Sequence, residues 1–170
     1  MISLSNISHI PSGTRVIVDT NIFVYWVIHH PRFGSNSELV VQRVENGEIT
    51  GIIPAVILNE LLHRLMIAET IDRGYTESVH DAIKKLKEEP EIIQELSLAW
   101  EVYDSLPNIG FELVEDEKGI SNLTYYFSKE LSLMAKDAAI ISYAHKEKVT
   151  NLITNDRDFN RIGWITCWNP

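Results

Sequence analysis

The stretch "VIVDTNIFV", residues 16–24, begins as three β-branched apolar residues and then meets Asp19, Thr20 and Asn21 before the apolar pattern resumes. A short apolar run of this kind reads as a buried strand, and its stop on a carboxylate reads as a turn into a helix. Asp19, or Asn21 after it, is a natural cap for that helix. Working outward, "ITGIIP" (49–54), "FELVED" (111–116), "NLITND" (151–156) and "WITCW" (164–168) read as four more short strands. Between them lie helical patterns. "ELVVQRVENG" (38–47) is a helix that Ser35 caps with Glu38 three residues on, ending at Gly47. "AVILNELLHRLMIAE" (55–69) follows Pro54 and places Leu58, Leu61, Leu62 and Leu65 on one face, ending before Gly74. Residues 76–106 are charged and periodic, so helix is expected there, interrupted near Pro90 and closed before Pro107. "SNLTYYFSKELSLMA" (121–135) and "DAAIISYAHKEK" (137–148) are two further helices.

Strands that alternate with helices predict an α/β fold: three layers, with a parallel sheet of about five strands covered on both faces and extra helices inserted in the middle of the chain. The 170 residues fit one domain at residues 15–170, with an N-terminal extension at 1–14 and a helical insertion at about 70–107. A chain of that length buries roughly two-thirds of its unfolded surface. In open parallel sheets ligands bind beyond the carboxyl ends of the strands, and Asp19 stands at such an end.

Composition narrows the function. The 45% apolar and 23% charged content is that of an ordinary globular protein. One cysteine, Cys167, makes no internal disulfide and belongs to no zinc-ligand spacing. The N-terminus has no basic and then apolar leader pattern, and no apolar run reaches the roughly 18 residues needed to span a bilayer, so the expected setting is cytoplasmic, with no membrane partner. A net charge of −9 opposes the approach of phosphate unless it is locally neutralised.

Four carboxylates stand in apolar surroundings. Asp19 ends one strand and Asp156 follows another; Glu60 lies within the "VILNELLHRL" helix; Asp137 has Leu133, Met134, Ile140 and Ile141 three and four residues away. An isolated buried carboxylate is costly and tends to protonate, and a shared divalent cation removes the conflict. Each also has a plainer reading. Asp19 and Asp137 are candidate helix caps, Glu60 can pair with Arg64 one turn on, and "NDRDF" can be a polar turn capped by Asp156 or Asp158.

Order and setting together settle the reading. "VIVDTN" in the first strand, "ILNELL" in a helix downstream, "KDAAIISYA" in the last third and "LITNDRDF" at the penultimate strand resemble the PIN domain, a metal-dependent ribonuclease fold, over nearly the whole chain from Arg15 onward. The resemblance implies that Asp19, Glu60, Asp137 and Asp156 are the catalytic, metal-holding acids, with Mg2+ or Mn2+ as cofactor. Hard cations of this type prefer oxygen ligands. Asn21, Thr154 and Asn155 are supporting polar positions. Asp158 competes for the fourth place, which goes to Asp156 as the first acid after the strand.

The activity implied is hydrolysis of RNA, single-stranded or structured, at one or two ions, leaving phosphate on the 5′ side; no Ser, His or Cys nucleophile is required. Lys136, Arg157 and Arg161 flank the acids in sequence, as RNA contacts or as ordinary solvated charges. Tyr25 and Trp26 either stack an unpaired base or pack in the core. Small VapC-type toxins of the family begin the first strand near the initiator Met, and this chain departs from them there and in its long central segment. The central helices are a clamp over RNA, a homodimer face or a dock for a small antitoxin. A phosphatase of the haloacid dehalogenase type needs a second Asp two residues after the first, where this chain has Asn21. The non-enzymatic rival is a catalytically silent PIN-like module that binds RNA or protein.

Overall fold

The computed structural model of the chain describes residues 5–170. Six strands form one all-parallel sheet: β1 (Ser5–Asn6), β2 (Arg15–Val18), β3 (Thr50–Pro54), β4 (Glu112–Val114), β5 (Asn151–Ile153) and β6 (Thr166–Asn169). The spatial order is β1-β6-β5-β2-β3-β4. Five of these are the strands read from the sequence. The sixth, β1, is a two-residue edge strand from the N-terminal segment, with Ser5 opposite Trp168 and Asn6 opposite Asn169.

Helices cover both faces, as a parallel sheet requires. They are α1 (Thr20–Val27), α2 (Gly34–Glu45), α3 (Ala55–Asp72), α4 (Val79–Glu88), α5 (Glu91–Glu95), α6 (Leu98–Ile109), α7 (Ile120–Leu131) and α8 (Ala135–Lys146). The central strands read apolar on both sides because both sides are covered: Val16, Ile17, Val18, Ile52, Ile53 and Ile153 have no exposed surface. Gly51 in β3 is dictated by packing, since a Cβ there would lie 2.6 Å from the ring of Phe111. Among the described residues no helix is long and apolar enough to cross a membrane.

Three local expectations change, the first at α7, which stops at Leu131 beside a left-handed Ser132 (φ 52°) instead of running on to Ala135. Helix α2 starts at Gly34, and Phe33, not Ser35, is its cap residue, with no side-chain cap bond. The preceding turn is organised instead by His30, whose Nδ1 accepts from the backbone N–H groups of Arg32 (3.2 Å) and Phe33 (3.3 Å). Helix α6 runs through Pro107 to Ile109 and stops at Gly110, whose φ of 110° is left-handed. Proline in a final turn removes one bond without breaking the turns before it, and the left-handed glycine ends the helix.

The N-terminal segment joins the core. Ile7 and Ile10 are buried, and the buried Arg43 of α2 donates to the Ile7 carbonyl (2.9 Å) and the Ile10 carbonyl (2.6 Å) while pairing with Glu48 at 3.0 Å.

The strand order places the site. From β2 the chain moves outward through β3 to β4, and later returns to the other side of β2 with β5 and β6. The crevice beyond the carboxyl ends of β2 and β5 is therefore a topological switch point, the place where open α/β sheets bind ligands.

Candidate active site

Asp19 and Thr154 follow the adjacent ends of β2 and β5, whose last paired residues are Val18 and Ile153. The Asp19 N–H donates to the Ile153 carbonyl at 3.0 Å, which carries the ladder one step past the strand. The Asp19 carboxylate is buried and caps α1 through Oδ1, which accepts from the Thr20 N–H at 2.7 Å. Its Oδ2 accepts from Thr154 Oγ1 and from Asn21 Nδ2, both at 2.6 Å. The cap role and the site role thus fall on the same carboxylate. Burial pushes its pKa above the usual range, Thr154, Lys136 and the Thr20 N–H work against that rise, and the charge of Glu60 adds to it.

Glu60 arrives from α3. Its Oε2 accepts from Thr20 Oγ1 at 2.9 Å and meets the Lys136 ammonium at 2.9 Å, whereas Arg64, the partner one turn away, is at 3.9 Å. Lys136 therefore lies among the acids. Desolvation alone would lower its pKa, yet the hydrogen bond and charge of Glu60, with Asp19 and Asp137 behind them, raise it overall.

Asp137 lies in the first turn of α8, where the helix dipole favours a negative charge, and Met134 rather than Asp137 is the residue at the cap position. It is buried, and its carboxylate accepts no hydrogen bond among the described residues. Burial raises its pKa and Lys136 opposes the rise, while Asp156, Asp19 and Asp158 add to it. Asp156 caps a short 3-10 helix, Arg157–Arg161, by accepting from the Asp158 N–H at 2.9 Å, and its own N–H donates to Thr154 Oγ1 at 3.0 Å.

Asp137, Asp156 and Asp158 each present an oxygen within 4.8 Å of the others, a spacing that could hold a metal ion. Asp158 thus joins Asp156 rather than competing with it. A one-residue gap across a tight turn turns both carboxylates toward α8. Asp19 and Glu60 lie near this group: the charge of Asp19 acts on Asp137, and Lys136, paired with Glu60, acts on both aspartates.

The supporting positions are tied together. Asn155 donates its N–H to Asn21 Oδ1 (3.3 Å) and its side-chain amide to the Tyr25 hydroxyl (3.1 Å). Tyr25 stacks on Phe33, with ring centroids 4.9 Å apart, and Trp26 packs on the core. Arg161 reaches away to the Ser132 carbonyl at 2.8 Å, while Arg157 is exposed. Thr20 is the site residue that sequence reasoning passed over; its hydroxyl faces Glu60 only because α1 and α3 pack together. Cys167 in β6 has its thiol pushed up to about 11 by burial and by the charge of Asp156, away from the thiolate form that a nucleophile uses.

The sequence profile of the PIN domain matches residues 16–165. The chain belongs to the PIN domain family. Its acids occupy the switch-point crevice of the PIN sheet. Among related proteins, ribonuclease VapC2 of Methanocaldococcus jannaschii is 26% identical over 151 residues, covering 89% of this chain and 91% of the relative. The PIN fold is also that of the Rickettsia felis VapBC2 structure, solved bound to a DNA fragment from its promoter (TM-score 0.56, 20% identity, 92% of this chain and 99% of that one). Mycobacterium tuberculosis VapC20, a sarcin-ricin loop cleaving toxin, has the same fold (TM-score 0.53, 11% identity, 89% and 97% covered).

Proposed function

We propose that this PIN domain is a divalent-metal-dependent endoribonuclease and the toxin of a toxin–antitoxin pair, held in check by a small antitoxin protein. The observation that carries the reading is the convergence of Asp137, Asp156 and Asp158, with Asp19 and Glu60 alongside, at the switch point of the sheet. The named relative, a VapC2 ribonuclease aligned over nine-tenths of both chains, supports the substrate class and the toxin role.

The donor set suits Mg2+ or Mn2+. It consists of carboxylate oxygens alone, with no thiolate or imidazole, and the burial and neighbouring carboxylates that raise Asp137 are what a cation offsets. Asp137, Asp156 and Asp158 would hold the ion. When bound, such an ion supplies Lewis-acid polarisation of a phosphoryl oxygen and a water acidified to react near neutral pH.

The remaining roles belong to the chain. Asp19, fixed by Thr20, Thr154 and Asn21, is an oriented acceptor for the proton of an attacking water. Thr154 couples the two halves of the site, because its hydroxyl donates to Asp19 and accepts from the Asp156 N–H. Lys136 holds Glu60 in place and offsets part of the acidic field that would repel a phosphodiester.

Labelled single-stranded RNA incubated with Mn2+, Mg2+ or EDTA, beside Asp19→Asn and Asp137→Asn variants, tests the reading. Cleavage should require the ion and fall at least a hundredfold in either variant. Cleavage that persists in EDTA, or variants as active as the parent, would overturn it. A chain that binds RNA without cutting it under any ion would be the silent binding module instead.

A further inference from the structure

Beside the acids lies a cleft of about 310 Å³ lined by Arg32, Phe33, Asn155, Arg157, Asn169 and Pro170. It adjoins the site through the chain itself, since Asn155 and Arg157 flank Asp156. Its walls are fastened to the site by the bonds of Asn155 to Asn21 and Tyr25, and by Asn169, whose amide donates to the Thr154 carbonyl at 2.7 Å. The Asn169 Oδ1 is left with no donor among the described residues.

The charge here is unusual for a chain of net −9. Arg32 and Arg157 are both exposed, and among the described residues neither pairs with a carboxylate, unlike Arg15, Arg43, Arg64 and Arg73. The Arg32 guanidinium lies over the Phe33 ring, 5.0 Å from its centroid, and Phe33 in turn stacks on Tyr25 and His30. A flat guanidinium on a stacked aromatic base is a platform for an unpaired nucleobase, and a second, unpaired guanidinium is a phosphate contact. The Asn155 side chain, which lines the cleft, supplies a polar group for the base edge.

We infer that this cleft is a nucleotide subsite for the RNA strand next to the scissile bond: a base stacks on the Arg32–Phe33 platform and a phosphate pairs with Arg157. The inference builds on the ribonuclease reading but makes its own claim, about binding.

The test is fluorescence anisotropy of a labelled single-stranded RNA octamer, titrated in EDTA with the full chain and with its Arg157→Gln, Arg32→Gln and Phe33→Leu variants. An otherwise identical octamer with one abasic position provides a second probe. Arg157→Gln should weaken binding several-fold and reduce the slope of log affinity against log salt by about one. Arg32→Gln and Phe33→Leu should weaken it about tenfold and remove the preference of the parent for the intact over the abasic strand. Thermal unfolding of each variant separates loss of fold from loss of contact; Arg157→Gln, at an exposed side chain, should unfold as the parent does. With Mn2+ present, the same variants should raise KM and leave kcat within about threefold.

Variants that bind both strands as the parent does, or a parent that does not bind the octamer, would overturn the subsite. If the parent binds and the variants do not, yet no ion supports cleavage, the subsite stands and the nuclease reading falls.

Discussion

Asp19 and Asp137 carry the same formal charge and pKa values raised in the same direction, yet their surroundings differ. Asp19 accepts three hydrogen bonds, whereas Asp137 accepts none among the described residues and is pressed by three other carboxylates. Asn at position 137 should therefore raise the metal-free thermal midpoint at neutral pH, by about 1 kcal/mol or 2–4 °C. Asn at position 19 should be close to neutral, since loss of the buried charge is offset by a poorer set of hydrogen-bond partners. The pH dependence has a definite sign. A carboxyl whose folded pKa lies above its unfolded value contributes stability that is complete below the unfolded pKa and is lost as pH rises through the folded one. The advantage of Asp137→Asn should thus shrink as pH falls toward the ordinary carboxylate range, which calorimetric scans across pH would check.

Lys136 gives a second prediction. Its ammonium already neutralises Glu60, so Lys136→Met should tighten Mn2+ binding in a calorimetric titration by about tenfold at low salt while weakening RNA affinity. Unchanged Mn2+ affinity would show that the ammonium does not compete with the ion. The acids themselves were legible in the sequence because a carboxylate in an apolar run is conspicuous. Lys136 was legible only as a charge near Asp137, because its partner arrives on a different helix, α3, which no local pattern connects to α8.

Elements with strong periodicity matched their expected positions, and those set by a single local contact did not. Helix α3 is an example of the first: Leu58, Leu61 and Leu65 are buried on one face as the spacing required. Helix α2 is an example of the second. Ser35 and Glu38 offered a capping pattern, yet the His30 imidazole and a close approach of Gly34 to the His29 backbone begin the helix two residues earlier. The edge strand β1 had no readable signal, since two polar residues carry no period, and its position depends on Arg43 gripping two carbonyls from a distant helix. Arg43→Met should leave the Ile10 carbonyl without a donor and the Ile7 carbonyl with the Ile10 N–H alone, and lower stability by about 2 kcal/mol, seen as a lower urea midpoint.

Over the whole molecule, charge and topology meet at one crevice. A chain of net −9 gathers five acids around the switch point, with the Lys136 ammonium inside the cluster and the Arg32 and Arg157 side chains beside it. Anything that binds the folded crevice and not the unfolded chain raises the midpoint by mass action, so Mn2+ should stabilise the protein and EDTA should reverse the effect. Asp137→Asn should lose that response, and the parent's response should weaken at acid pH as protons compete for the carboxylates.

The Asp19–Thr154 hydrogen bond joins residues 135 positions apart in the chain. Closing a parallel pairing over such a separation is entropically expensive and intrinsically slow. A partly folded chain in which β5 has not yet docked on β2 lacks Thr154, Asp156 and Asp158 at the crevice, whatever else it has formed. Assembly of the candidate site is in this way tied to a long-range contact, so that a chain in which β5 has not docked on β2 has no complete acidic crevice.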